Sequence, residues 1–401
     1  MTDLDRRKTV GNILSGLACS ALCIGLLFFP AESVEAAKSG LKTCAELIVP
    51  SLFPFFVLSS FMIELGLADA LGRLARPIMR GLFGLGGNCS LPFLLGFVGG
   101  YPVGARSAIS LYERGEISRG EALRLLSFCN NSGPAFILGV VGAGVFCDSK
   151  AGLLLYLIHF LSSVAVGLIF RGYRVEGEAR LEREPSKRAR SNSIAAGFTS
   201  SVGGAFTSIL GICAFVVFFS VAIRLLIISG LIPAAAKGAS FLLRPLGVTP
   251  DSAEELISGM IEMTSGVSSL RVAAGSLGKN AVMAAFMLGW AGLSVHFQVL
   301  AFLTKSGLSS KTYILGKLLH AVISALLAAL VFSFYKPSAG VALVIADEVV
   351  GLAEVKAPRM VLLTIAETLP FLPAVIFGVV RNFKCARSVE MMRKRVYNDL
   401  N

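Results

Sequence analysis

Gly96-Phe-Val-Gly-Gly-Tyr-Pro-Val-Gly-Ala-Arg-Ser107 sets glycines, a proline and a cation inside an otherwise apolar stretch, and Asn130-Asn-Ser-Gly-Pro-Ala-Phe136 follows with two adjacent amides. Further along, Gly259-Met-Ile-Glu-Met-Thr-Ser-Gly266 and Gly292-Leu-Ser-Val-His-Phe-Gln298 repeat that order. The stretches Ile48–Arg171 and Ile209–Tyr335 therefore read as two versions of one plan, apolar segments broken at polar, Gly-rich sites. Unwound backbone is tolerated at membrane depth only where it lines protein or a water-filled cavity. Interruptions at matching positions of two halves are the mark of a secondary transporter.

Composition supports a membrane class. The 401 residues are 55% hydrophobic and 15% charged, with a mean hydropathy of +0.75, which points to a polytopic membrane protein. The 42 glycines suit close helix packing in lipid. A formal charge of +12 does not imply nucleic acid, because the basic residues sit in short loops beside apolar spans, where they act as topology signals. The eight cysteines include no CxxC pair and read as small packing residues.

The expected fold is all-α, with about eight transmembrane helices and two re-entrant hairpins in two inverted repeats. The spans fall at Thr9–Phe29, Cys44–Gly66, Phe128–Phe146, Gly152–Phe170, Ile209–Leu231, Ala281–Leu303, Tyr313–Phe334 and Val361–Val380; the hairpins at Leu91–Leu111 and Ala253–Ala274. Leu67–Phe83 is amphipathic and reads as an interfacial helix. The implied units are an N-terminal helix and loop (1–43), a first repeat (44–171), a basic linker (172–208), a second repeat (209–335), then a loop, a last helix and a basic tail (336–401). With the N-terminus inside, the linker and the tail are also cytoplasmic, and most of the 37 Lys and Arg fall there, Lys317 being counted at the inner end of its span. An alternative for Thr9–Pro30 is a cleavable signal ending at Val34-Glu35-Ala36, although the apolar run is long for that.

Motifs for enzyme chemistry are mostly missing. There is no P-loop. His159, His296 and His320 lack zinc-ligand spacing, and no metal or cofactor is expected. Gly139-x-x-Gly142-x-Gly144 reads as helix packing. The breaks are the stronger signal. Amides freed after Pro102 would favour an anion, and Arg106 either joins that site or anchors the hairpin at the surface. Asn130, Asn131, Ser132 and Gly133 either cap a broken helix or face a polar ligand, and both roles can hold together. Glu262, beside Thr264, is an intramembrane carboxylate: it either carries a coupling proton, coordinates a cation, or pairs with Arg224 or Arg106. Ser294, His296 and Gln298, spaced by two, suit an extended break that points all three the same way. Tyr101 offers a ring for stacking, and Trp290 either does the same or, as a lone tryptophan more often does, packs.

Taken in order, Pro50-Ser-Leu-Phe-Pro-Phe-Phe-Val-Leu-Ser59, Gly100-Tyr-Pro-Val-Gly-Ala105, Asn130–Phe136, Glu262-x-Thr-x-Gly266 and Gly292–Gln298 resemble the YlbJ family of sporulation integral membrane proteins, which carry the nucleoside-recognition Gate domain. The resemblance implies a fold similar to concentrative nucleoside transporters. It also implies movement of dipicolinic acid, a flat aromatic dianion, across the outer forespore membrane of a spore former. The partners expected are the lipid bilayer, a small-molecule substrate and a coupling proton or cation, and a homo-oligomer is compatible. A nucleoside or nucleobase carrier is the nearest alternative, and a non-transporting membrane scaffold docking partners on its basic loop and tail is the next.

Overall fold

The computed structural model describes residues 3–65, 73, 75–173, 193–270 and 277–335. The expected last span Val361–Val380, the tail and the charged run Arg180–Arg190 lie outside the described residues. All regular structure among the described residues is helical.

Two long helices form one wall. Pro30–Thr43 passes through a π-helical turn, Cys44–Ile48, into Val49–Glu64, and Ile194–Ile228 packs along it. At 35 residues and 1.5 Å per residue this second helix is about 50 Å long, well beyond a hydrocarbon core of about 30 Å. It starts before residue 209, so the boundary expected at 208/209 falls inside a continuous helix.

The other wall is built twice. A hairpin (Ser90–Gly99 and Val103–Glu113), a broken helix (Arg119–Phe128 and the π-helical Ala135–Val145) and a straight helix (Ser149–Ile169) come first. The same order returns as Pro250–Ile261 with Met263–Ser269, Leu277–Trp290 with Gly292–Ser306, and Lys311–Phe334. Five helices among the described residues are long and apolar enough to cross a membrane, six if the pair Ala75–Phe83 and Gly87–Gly99, bent by 109°, counts as one span. The expected eight included three that are not among these: Thr9–Phe29, of which only the shorter helix Ser15–Phe28 is apolar enough, Phe128–Phe146, which is interrupted at its N-terminal end, and Val361–Val380, outside the described residues.

Local backbone conformation marks three of the four interruptions. Gly100 adopts φ 67 and ψ −165, a region that only glycine enters readily. Glu262 is extended, at φ −137 and ψ 111, and starts the short second arm of its hairpin. Ala291 and Gly292 both have φ +79. The glycines also set the packing. An added Cβ on Gly96 or Gly104 would strike the Cys129 carbonyl oxygen, so the two arms of the first hairpin straddle the first broken helix at its interruption. The second half is arranged alike: a Cβ on Gly292 would stand 2.9 Å from the Met263 amide, where the second hairpin is broken. Gly142 backs onto Gly152, as the packing reading of Gly139–Gly144 expects.

The straight helices are inside-out relative to soluble ones. Leu315, Leu318, Val322, Leu326 and Leu330 are exposed along one face of Lys311–Phe334, while Lys317, His320 and Ser324 are buried on the other. Ser149–Ile169 does the same, with Leu153, Leu157 and Leu161 outside and His159, Ser162 and Ser163 inside. Apolar side chains meet lipid and polar ones meet each other.

Candidate functional site

A cavity of about 60 Å3 lies where the breaks face the long helices. Its apolar side is Phe55, Phe56 and Ile212, Phe215, Val216, with Ile48 and Leu52 beneath. Its polar side is Gly100 and Tyr101 from the first hairpin, Ser132 and Gly133 from the first broken helix, Glu262 and Thr264 from the second hairpin, and Ser294 and Gln298 from the second broken helix. All four interruptions thus contribute. Three helices begin at or within two residues of its lining, at Val103, Ala135 and Gly292, and the start of a helix carries the positive end of its dipole. The fourth, Met263–Ser269, is neutralised locally. Glu262 Oε1 accepts from the Thr264 amide at 3.0 Å and Oε2 from the Ser265 amide at 2.6 Å.

Behind the cavity runs a buried polar network. Asn131 Nδ2 donates to the Phe128 carbonyl at 2.8 Å and to Ser163 Oγ at 3.2 Å, and Ser163 Oγ donates to the same carbonyl. The Ser132 amide donates to His159 Nε2 at 3.0 Å. Asn130 Nδ2 reaches the Tyr313 hydroxyl at 3.4 Å, and that hydroxyl lies 2.9 Å from His296 Nδ1. The Tyr101 hydroxyl donates to the Leu288 carbonyl, joining the first hairpin to the second broken helix. The Oδ1 atoms of Asn130 and Asn131 have no protein partner, and buried polar atoms of that kind commonly hold water or ligand.

Seven of the expected site residues therefore share the cavity: Tyr101, Ser132, Gly133, Glu262, Thr264, Ser294 and Gln298. Asn130 and Asn131 sit one layer behind it. Ser294, His296 and Gln298 are not on an extended break, because Gly292 already starts a helix that carries all three. Ser294 and Gln298, four apart, share one face. His296 turns away, its ring 4.4 Å from Trp290. Trp290 is accordingly a packing residue, and its Nε1 donates to the Met260 carbonyl at 3.1 Å. Arg106 is exposed, with its guanidinium 5.7 Å over the Phe302 ring, outside the cavity. Arg224 is exposed too, and Glu262 is engaged by its own helix rather than by either arginine.

Known proteins share this fold. A family model described as "Gate: Nucleoside recognition" matches residues 46–146, which hold the end of the first long helix, the first hairpin and the first broken helix. The sporulation integral membrane protein YlbJ of Bacillus subtilis (strain 168) is 34% identical over 320 residues, 74% of this chain and 76% of its own length. This chain belongs to the YlbJ family. Solved structures of the concentrative nucleoside transporter CNTnw resemble the YlbJ-family chain in fold. A doubly substituted form in an outward-facing state covers 82% of this chain and 87% of its own at 14% identity, with a TM-score of 0.55. The inward-facing substrate-bound state covers 82% and 86% at 16% identity, also with a TM-score of 0.55. Equal likeness to both states means that the shared feature is the fold common to them. The YlbJ-family chain is an integral membrane protein with a transporter-like fold.

Sequence reasoning missed part of this candidate site. Lys317, taken for a topology signal, is buried, and its Nζ lies 3.0 Å from the Asn130 carbonyl. His159 and His320, dismissed as scattered, have ring centroids 4.3 Å apart. The signal that finds Lys317 and His320 is their spacing with Ser324 at i, i+3 and i+7, one polar stripe on an apolar span.

Proposed function

We propose that the protein moves a small polar aromatic anion of the dipicolinate type down its gradient, by alternating access about the cavity between the two halves. The observation that carries this is the start of three helices without side-chain caps beside a pocket walled by Phe55, Phe56 and Phe215. Fixed amide dipoles favour negative charge, and the rings offer apolar faces to a flat one. Lys317 adds a positive charge behind Tyr101, 5.1 Å from its ring. Glu262 opposes it, although its charge is absorbed by two amides. A cavity of about 60 Å3 holds only a few waters. Binding a ring with two carboxylates thus requires the hairpins and long helices to part, as alternating access supposes. The two similar hairpin, broken-helix units acting as inverted repeats would open it from opposite faces. In a spore former the membrane concerned is the outer forespore membrane.

A nucleoside or nucleobase carrier is the second reading, favoured by the Gate match and the likeness to CNTnw; Gln298, Ser294 and Thr264 would serve a ring edge. The test is uptake into proteoliposomes of labelled dipicolinate and labelled uridine by the purified protein. Dipicolinate uptake that uridine does not compete for, weakened in Ser294→Ala and Gln298→Ala and kept in Arg106→Ala, supports the first reading. Uridine uptake alone assigns the cavity to nucleosides. If neither moves in folded, inserted protein, the scaffold class gains.

A further inference from the structure

Among the described residues, Lys317 is the only Lys or Arg buried in the core, at 1% exposure. A cation at membrane depth is costly unless something stabilises it, and it marks a functional site by default. Among the described residues, no carboxylate, the usual partner, pairs with it. Both oxygens of Glu262, the carboxylate of the cavity, are engaged by the amides of its own helix.

Lys317 faces neutral acceptors instead. Nζ stands 3.0 Å from the Asn130 carbonyl and 3.4 Å from His320 Nδ1, over the face of Tyr101. His320 Nε2 lies 3.0 Å from the His159 carbonyl. A carbonyl only accepts, so Nε2 carries the proton and Nδ1 is left to accept from Lys317. A carbonyl, an imidazole lone pair and a ring face form a cation-binding set. The carbonyl belongs to the interruption that follows Arg119–Phe128, the negative end of a helix dipole. Lys317 arrives from the second half because Gly316 lets Lys311–Phe334 lie against the Ser127 backbone.

Unwound carbonyls and half-helix C-termini in transporters are where dissolved coupling cations bind. We infer that the Lys317 ammonium is a built-in counter-ion of the first broken helix, occupying the place a dissolved cation would take, so that the protein works without sodium or potassium. The inference differs from assigning coupling to Glu262, whose carboxylate serves as a helix cap. Its flux test rests on the transport reading above; its thermal test does not.

The experiment compares the full-length protein with Lys317→Ala and Lys317→Met, following thermal unfolding in choline, sodium and propylammonium chloride at equal ionic strength. Propylammonium carries the atoms that Lys317→Ala removes. The wild-type midpoint is expected to be the same in all three salts. Lys317→Ala should melt lower in choline and regain most of the loss in propylammonium, whereas Lys317→Met, with the space filled and the charge gone, should not recover. Stabilisation of the wild type by sodium over choline overturns the inference and needs no variant. So does equal behaviour of the two variants in every salt, which would leave Lys317 a packing residue. In proteoliposomes, replacing sodium and potassium by choline on both sides should change dipicolinate flux by less than about twofold, and a fall of about tenfold or more overturns the inference. If no substrate moves at all, the transport reading fails while the melting data still decide the role of Lys317.

Discussion

Ser132 and His159 show how a residue's type and its contribution can separate. The Ser132 contact to His159 Nε2 is made by the backbone amide, not the hydroxyl. Ser132→Ala keeps that bond and should change stability by less than about 0.5 kcal/mol. His159→Leu strands a buried amide and should cost about 1–3 kcal/mol, read as a lower unfolding midpoint in detergent. A larger loss in Ser132→Ala than in His159→Leu would show that the hydroxyl, not the amide, holds the interruption. Legibility followed the same line. The adjacent amides Asn130 and Asn131 were visible in the sequence because polar side chains in an apolar run need partners. Lys317 was not, because a count of basic residues treats every lysine near a span end alike, and only the neighbouring helices decide that this one is buried.

Interruptions are the elements most readable from sequence, since glycine, proline and an isolated glutamate have local conformational reasons to end a helix. Gly100 and Glu262 mark hairpin breaks that the structure contains. The alternation of Ser294, His296 and Gln298 misled, because polar residues at every second place imitate a strand when two serve the cavity and one serves Tyr313 on another helix. Glu262 tests what an interruption needs. In Glu262→Gln one oxygen still accepts, but the new amide nitrogen confronts a backbone N–H on Met263–Ser269. The expected loss is about 1–2 kcal/mol, a failed cap with a charge removed. Thermal unfolding paired with flux separates the roles: an unchanged midpoint with abolished flux would make Glu262 a coupling group and refute the capping account.

At the scale of the whole molecule, the two halves meet along a seam that no single segment announces. Composition and interrupted spans give the fold class, but the seam depends on which glycine meets which backbone. Gly316 lies against Ser127, and the Tyr101 hydroxyl reaches Leu288. At Gly316 an added Cβ would overlap the Ser127 carbonyl oxygen and Cα, and backbone cannot yield as a flexible side chain can. Gly316→Val should therefore push Lys311–Phe334 off Arg119–Phe128, withdraw Lys317 from the Asn130 carbonyl, and cost at least about 1–3 kcal/mol as overpacking. Gly211 is the control. It lies on the exposed side of Ile194–Ile228, and a Cβ there meets nothing within 4 Å. Gly211→Ala should be neutral or stabilising by up to about 1 kcal/mol, because alanine favours helix over glycine. Unfolding midpoints of the two variants beside the wild type decide the matter. A Gly316→Val protein as stable as Gly211→Ala would mean that the halves are not held in contact there, and the path by which Lys317 enters the first half would have to be abandoned.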